Sequence, residues 1–237
     1  MKKILLILSC MAAAATGHAQ IGEARNAIAV GFNAGVNMNS VGFDPTIKQN
    51  LFVAPTFGAT FRLTSEKYFK TLCALQVELN LSQLGWNENI LDKQSEKLPD
   101  TYKRKLTYIQ LPMLARLSWG YEQRGAMFYF LAGPQVGYCI QEKSERSDVW
   151  TVDGQGNPNR PNDLFAQYDM AIDNKFDYGI TAGIGMEVNT KIGHFMIDGR
   201  YYYGLSDIFK NGKKDVFSRS NHGTIMAKFT YLIDLKK

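Results

Sequence analysis

The sequence is dominated by segments in which apolar and polar residues alternate one by one. Alternation with a period of two is typical of a β-strand whose two faces meet different environments. We find no heptad repeat and no long helical stripe in this sequence. The alternation predicts eight strands, at residues 27–37, 52–63, 72–85, 106–119, 126–140, 176–189, 194–205 and 222–235.

The lengths of these segments separate a membrane barrel from a soluble sheet. The predicted strands have about 11 to 14 residues, whereas strands of soluble sheets have a mode of about five or six. A tilted strand that crosses a bilayer needs roughly 9 to 11 residues. The alternation by itself leaves open which face points inward, so a soluble barrel with an apolar interior stays an alternative at this step.

The connectors between the predicted strands favour the membrane barrel over the soluble one. They alternate in length, being long at 38–51, 86–105, 141–175 and 206–221 and short at 64–71, 120–125 and 190–193. Long loops on one side and short turns on the other are typical of outer-membrane barrels, and a soluble sandwich has no reason to sort its loops in this way. The sequence therefore predicts an all-β, eight-stranded antiparallel up-and-down transmembrane barrel. Both termini are expected at the short-turn, periplasmic side.

Composition agrees with this fold and excludes two others. The 237 residues are 45% hydrophobic and 12% aromatic, which excludes a disordered chain. No apolar run beyond the N-terminus approaches the roughly 18 to 20 residues that a spanning helix needs, which excludes a helical membrane bundle.

The N-terminus resembles an export signal. Lys2 and Lys3 precede an apolar stretch, and Gly17-His18-Ala19 offers small residues for cleavage. We expect a signal peptide at 1–19 and one barrel domain at 20–237. A lipoprotein signal ending at Cys10 would leave an apolar stretch of only about five residues, below the usual range. Loss of two lysines lowers the formal net charge from +5 to +3, so no nucleic-acid partner is expected.

Aromatic residues lie near both predicted ends of the barrel. Trp119 and Tyr121 fall at the periplasmic end of the fourth strand, and Trp86 and Tyr138 fall at the outer ends of the third and fifth. We interpret these four as interface aromatics, because amphipathic rings favour both membrane surfaces. The alternative is the general preference of Tyr and Trp for strands.

Several short runs carry a family resemblance. The runs are GFNAGVN at 31–37, LNLSQLG at 79–85, YIQLP at 108–112, AGP at 132–134, FDYG at 176–179 and RYYYGL at 200–205. Through these runs the chain resembles, over nearly its whole mature length, the porin-family or PorT-like outer-membrane β-barrel proteins of Bacteroidetes-type bacteria. This resemblance implies a fold and an outer-membrane location rather than a reaction.

Charged residues recur on the polar faces of the predicted strands. In a narrow lumen they should pair, since an unpaired buried charge is expensive. The set consists of Glu78, Arg116, Glu187, Asp198, Arg200 and Lys228. A proton or ion path is one interpretation. We favour a structural charge network, because an eight-stranded interior is only wide enough for side chains.

The sequence offers little support for an enzyme. His194 and His222 are predicted near opposite ends of the barrel, so they cannot share a metal or a nucleophile. Ser218 and Ser220 lie close to His222 in sequence, but no acid or oxyanion donor completes a hydrolase site. Residues 153–159 space oxygen ligands like a calcium loop, yet lack its second acid and terminal Glu. We therefore predict no catalytic residue, cofactor or metal.

Two cysteines remain after signal removal. Cys73 should face lipid near the periplasmic rim, and Cys139 should face the lumen near the outer rim. Most of a membrane thickness would separate them, far beyond the roughly 7 Å Cα limit for a disulfide. Both are predicted to be free thiols.

The predicted function is non-catalytic. We expect a structural, adhesive or assembly role through the outer loops or a protein partner, and the resemblance adds a PorT-like secretion role. Expected contacts are outer-membrane lipid, lipopolysaccharide and a protein at the outer loops or periplasmic turns. Lipopolysaccharide phosphates would suit the basic loop with Lys210, Lys213, Lys214 and Arg219. A narrow diffusion channel is the alternative, followed by an enzyme acting on lipid.

Overall fold

A computed structural model describes residues 22–122, 124–161 and 164–236. The signal peptide predicted at 1–19 lies outside these residues. The described chain forms nine strands and one short 3-10 turn at Ala166–Tyr168. The strands are β1 Glu23–Asp44, β2 Gln49–Asn50, β3 Phe52–Tyr68, β4 Thr71–Glu88, β5 Tyr102–Gly120, β6 Gly125–Arg146, β7 Phe176–Thr190, β8 Gly193–Asp207 and β9 Arg219–Lys236.

The eight long strands close into a barrel. Each pairs antiparallel with the next along the chain, and β1 pairs antiparallel with β9, so the sheet has no open edge. β1 approaches β9 closely at Gly31, where a Cβ atom would lie 1.8 Å from the Tyr231 carbonyl oxygen. The two-residue β2 adds only a short pairing with the end of β4. The predicted eight-stranded up-and-down fold is confirmed.

The two faces of the strands are opposite in character. On β4, Leu79 points outward and is 56% exposed, whereas the neighbouring Glu78 points inward and is 1% exposed. The same alternation holds along the other long strands, with Phe32, Phe128 and Ile184 among the exposed apolar side chains. The apolar face is therefore outside and the polar face lines the lumen, the reverse of a soluble barrel.

The connectors divide the barrel into two unlike ends. Residues 69–70, 121–122, 124 and 191–192 lie at one end, which we call the turn end. The segments 45–51, 89–101, 147–161, 164–175 and 208–218 lie at the other, which we call the loop end.

The strands extend further at the loop end than the sequence predicts. β1 continues to Asp44 and β6 to Arg146, and Tyr102 pairs with Arg146 at the loop end of the β5–β6 pair. The strand pairing therefore continues through residues that the apolar pattern assigned to loops. The outward apolar face of β4, by contrast, ends near Leu81. No helix in the described residues is long and apolar enough to cross a membrane.

Candidate functional site in the barrel lumen

Four of the six predicted charges form one buried cluster near the middle of the strands. Glu78, Asp198, Arg200 and Lys228, here called the central cluster, are each almost completely buried. Glu78 accepts from Arg200 Nη2 at 2.9 Å and from Lys228 Nζ at 2.6 Å. Arg200 Nε donates to Asp198 Oδ1 at 2.5 Å.

Strand geometry explains this meeting of distant residues. Asp198 and Arg200 are two residues apart on β8, so they share its inward face. Lys228 lies directly opposite Asp198 on β9. Glu78 reaches them from β4, and additionally accepts from Gln76 Nε2 at 2.7 Å.

The other two predicted charges lie in a second cluster toward the turn end. We call it the turn-side cluster, and it consists of Arg62, Arg116, Glu187 and His194. The other three side chains all contact the carboxylate of Glu187. Arg62 Nη1 donates to the two Glu187 oxygens at 2.9 and 2.8 Å, and Arg116 also pairs with Glu187. His194 Nδ1 lies 2.8 Å from Glu187 Oε1.

Arg62 and His194 are absent from the charge set chosen from the sequence. Alternation places Arg62 on the polar face of its predicted strand, so the signal that selects Arg116 also points to Arg62. The sequence singles out His194 only as a candidate catalytic residue. In the structure its ring also bonds to Asp234, with Nε2 2.8 Å from Oδ1.

An apolar core fills the loop half of the lumen. Trp86, Phe43, Tyr102, Phe209 and Phe217 are all buried there. The Phe43 and Trp86 rings meet edge to face at 5.3 Å between centroids. We call this group, with its buried neighbours, the aromatic plug. Its further members are Val41, Leu84, Ile90, Leu106, Tyr108, Cys139, Tyr168, Ile172 and Ile208.

The assignment of Trp86 to an outer interface girdle is wrong. Its side chain is 0% exposed and lies inside the barrel. β4 continues without a change of face from Glu78 through Leu84 to Trp86, so the even-numbered residues all point inward. Position near a strand end suggested lipid contact, but the alternation determines the direction of the ring.

The other three aromatic residues of that set lie on the outside. Trp119 and Tyr121 are 42% and 73% exposed at the turn end, and Tyr138 is 52% exposed in the loop half. Trp119 Nε1 donates to Thr71 Oγ1 at 2.7 Å. Their contact with the membrane interface stays a prediction.

Long-range polar contacts join the largest loop to the barrel. Arg160 Nη2 donates to Asp100 at 2.9 Å, and Arg160 Nε donates to the Tyr168 hydroxyl at 2.8 Å. The Tyr168 hydroxyl in turn donates to Glu88 Oε2 at 2.8 Å, and Gln167 Nε2 donates to Oε1 at 3.2 Å. We call these five residues the loop clamp.

Burial perturbs the acid–base groups of the loop clamp. Loss of water raises the pKa of Glu88, although Tyr168 and Gln167 donate hydrogen bonds that oppose the shift. Burial also raises the pKa of Tyr168, and the nearby Glu88 charge raises it further. The Tyr168 hydroxyl is therefore a hydrogen-bond donor at neutral pH, as the geometry requires.

The arrangement of Ser218, Ser220 and His222 gives no support to a hydrolase. Ser218 Oγ donates to Asp44 at 2.6 Å, and Ser220 Oγ accepts from the Phe209 backbone N–H at 3.0 Å. The His222 ring is buried, and its Nε2 lies 3.3 Å from the Tyr108 hydroxyl.

The calcium-like segment forms a turn. Asp153 Oδ1 accepts from the backbone N–H groups of Gln155 and Asn157, which lowers the pKa of Asp153. Within the described ranges, no group of three or more His, Cys, Asp or Glu residues could hold a metal ion. Cys73 and Cys139 are both free, which confirms that they do not pair.

Comparison with known proteins identifies the class. Residues 18–210 match the family described as outer membrane protein beta-barrel domain. The chain belongs to this family, whose members are located in the outer membrane. A search of curated proteins gave no match.

Several solved structures are similar to this chain. Ail, the attachment invasion locus protein of Yersinia pestis, is 13% identical, with a TM-score of 0.37 and coverage of 86% of this chain and 98% of Ail. OprG from Pseudomonas aeruginosa is 10% identical, with a TM-score of 0.46 and coverage of 91% and 99%. Neisserial surface protein A is 12% identical, with a TM-score of 0.36 and coverage of 88% and 98%.

Proposed function

We propose that this protein is a closed, non-catalytic outer-membrane barrel that acts through the surface it displays at the loop end. The observation that carries the proposal is the filling of the lumen through its loop half and its middle. The aromatic plug occupies the loop half, and the central cluster lies below it. A solute would have to displace both to cross the barrel.

The filled lumen supports a structural role for the six predicted charges. Each carboxylate of the central cluster accepts from at least one cation, so the cluster satisfies itself without a transported ion. Glu78, Arg116, Glu187, Asp198, Arg200 and Lys228 would then hold the strands in register and exclude water.

The ordered loops support a binding role at the cell surface. The loop clamp holds the described residues of the segment 147–175 against β4, and Val149 and Val152 remain exposed among them. An adhesive contact or a protein partner would use this surface. Lys213, Lys214 and neighbouring basic residues at 208–218 would suit lipopolysaccharide phosphates.

The sequence runs shared with PorT-like barrels support a finer proposal, a role in assembly or secretion. Such a role would need a protein partner at the loops or at the periplasmic turns. Site-specific photo-crosslinking in cells tests which end is used, with one probe at exposed Val149 in a loop and a matched probe at exposed Ile192 in a turn. Crosslinks at Val149 would support the loop-end proposal, and crosslinks at Ile192 alone would contradict it.

A narrow diffusion channel is the second candidate. It is favoured by the polar lumen face and by a cavity of about 700 Å³ at the turn end. Planar-bilayer recording separates the two functions. The closed barrel is expected to give no stable unitary conductance, whereas reproducible single-channel steps from the purified folded protein would establish the channel. The signal peptide proposed at 1–19 is tested separately, by N-terminal mass analysis of the exported protein.

A further inference from the structure

The cavity at the turn end is lined by more cationic than acidic residues. It has a volume of about 700 Å³, within the range of roughly 300 to 1,000 Å³ that is common for small-molecule sites. Its lining contains five cationic residues and three acidic ones, a net charge of +2 with His194 neutral. The cations are Arg25, Arg62, Arg116, Arg124 and Lys191, and the acids are Glu122, Glu187 and Asp234.

The floor of the cavity has more positive than negative charge. Arg62 and Arg116 are both buried and share the single carboxylate of Glu187, which also contacts His194. The Arg62 side chain is only 9% exposed, and its Nε has no hydrogen-bond partner among the described residues. Because a buried cation without full compensation is costly, this floor favours an added negative charge.

The mouth of the cavity carries two further cations. Arg25 there pairs with both Glu23 and Glu122, so its charge is compensated. Arg124 and Lys191 are exposed at the mouth and form no ion pair with any residue that the structure describes. Cations at both the mouth and the floor produce a positive potential that would guide an anion inward.

We propose that the turn-end cavity binds a small ligand bearing an oxyanion, either carboxylate or phosphate. Guanidinium groups recognise both through paired N–H donors, so they define the chemistry that the two ligand types share. The ligand would enter from the periplasmic side and place its anionic group toward Arg62 and Arg116. This site lies at the opposite end from the proposed loop-end surface and does not depend on it.

Calorimetric titration of the full-length folded protein in detergent at low salt tests the site. Citrate is the carboxylate probe and pyrophosphate the phosphate probe. We expect saturable binding of at least one probe with a one-to-one stoichiometry. Citrate alone would assign a carboxylate ligand and pyrophosphate alone a phosphate ligand. Saturable binding of neither would overturn the proposal.

Charge reversal locates the binding. The double variant Arg124→Glu and Lys191→Glu changes only exposed residues at the mouth and is expected to weaken binding at least tenfold. The matched control, Lys97→Glu and Lys143→Glu, makes the same charge change at exposed residues far from the cavity and is expected to stay within twofold of the unmodified protein. Equal weakening in both variants, or none in the mouth variant, would contradict a turn-end site.

A floor variant extends the test to the buried arginines. Arg62→Gln is expected to weaken binding at least tenfold in protein that retains the heat-modifiable gel mobility of a folded barrel. Unchanged affinity in folded Arg62→Gln would contradict the placement of the anion. If this variant does not fold, the mouth variants and their control decide the question.

Discussion

The two halves of the lumen are built on the same strands but are filled by different interactions. Glu78 and Trp86 lie eight residues apart on the inward face of β4. Glu78 belongs to a network of paired charges, and Trp86 belongs to an apolar plug. The difference teaches that a barrel interior can be closed either by charge compensation or by hydrophobic packing, and that the two respond differently to mutation.

The strands supply side chains to both halves of the lumen, and the loop half also receives side chains from a loop. At the loop end, Phe209 and Phe217 come from the segment 208–218 and cover the strands like the core of a soluble protein. Toward the middle of the barrel, the described lumen side chains come from the strands. The charged ones among them are buried, so they must pair with one another.

The largest expected effect is on the central cluster. Arg200→Glu would leave Glu78, Asp198 and the new carboxylate with Lys228 as the nearby cation. Breaking a buried ion pair lowers the free energy of unfolding by about 3 to 5 kcal/mol. Repulsion between the carboxylates adds to this, so we expect Arg200→Glu to lose at least that much stability. The thermal midpoint of the heat-modifiability shift on a gel measures it.

Arg219→Glu provides the control for this variant, because it makes the same charge change at an exposed residue. Its midpoint should stay close to that of the unmodified protein. If Arg200→Glu unfolded at the same temperature as the unmodified barrel, the central cluster would not have the structural role proposed for it.

The aromatic plug should show a comparable but smaller loss. Trp86→Ala removes a fully buried ring, and Trp to Ala in a packed core costs about 3 to 5 kcal/mol. We expect the lower end of this range, because no charge is left unpaired. The same gel assay measures it, with Trp119→Ala as an exterior control. A larger fall of the thermal midpoint in Trp119→Ala than in Trp86→Ala would contradict the structural role proposed for Trp86.

The loop clamp should have a local effect. Tyr168→Phe removes the hydroxyl that joins Arg160 to Glu88, at an expected cost of about 1 to 2 kcal/mol. Hydrogen exchange in the segment 147–175 should rise, while the barrel strands stay protected. Tyr203→Phe, at a half-exposed exterior ring, is the control. Unchanged exchange in Tyr168→Phe would exclude a clamping role.

The smallest effect concerns pH. Burial raises the folded-state pKa of Glu88, so the folded loop holds its proton more tightly than the unfolded loop does. The stability of the loop should therefore fall as the pH rises from the unfolded pKa of Glu88 through its folded value. Glu88→Gln should flatten this dependence, measured by proteolysis of the loop across that range. If the pH profile of Glu88→Gln matched that of the unmodified protein, the raised pKa of Glu88 would be contradicted.

The sequence was sufficient to predict the barrel but only part of its interior. Alternation depends on lipid outside and polar contacts inside, so it gave the strands and the direction of Glu78 and Arg200. The same rule places Arg62 on the lumen face and turns the Trp86 ring inward, whereas the position of Trp86 near a strand end suggests an interface ring.

The loop clamp could not be predicted in this way. Asp100 and Arg160 are sixty residues apart in segments without periodicity, and their contact depends on how two loops fold over the plug. The turn-end cavity was also missed. Its charge becomes visible only when Arg62, Arg116 and Glu187 are brought together from three strands.

The pairing of β1 with β9 has a consequence for how the protein forms and persists. Val30 lies opposite Ile233, so closure joins segments about two hundred residues apart in the chain. Contacts of such long range form late and slowly. Once they form, every long strand has two hydrogen-bonded neighbours, and releasing any one of them breaks two ladders at once. The closed ring should therefore be slow to assemble and slow to open, with a lifetime set by the barrier to opening as well as by its equilibrium stability.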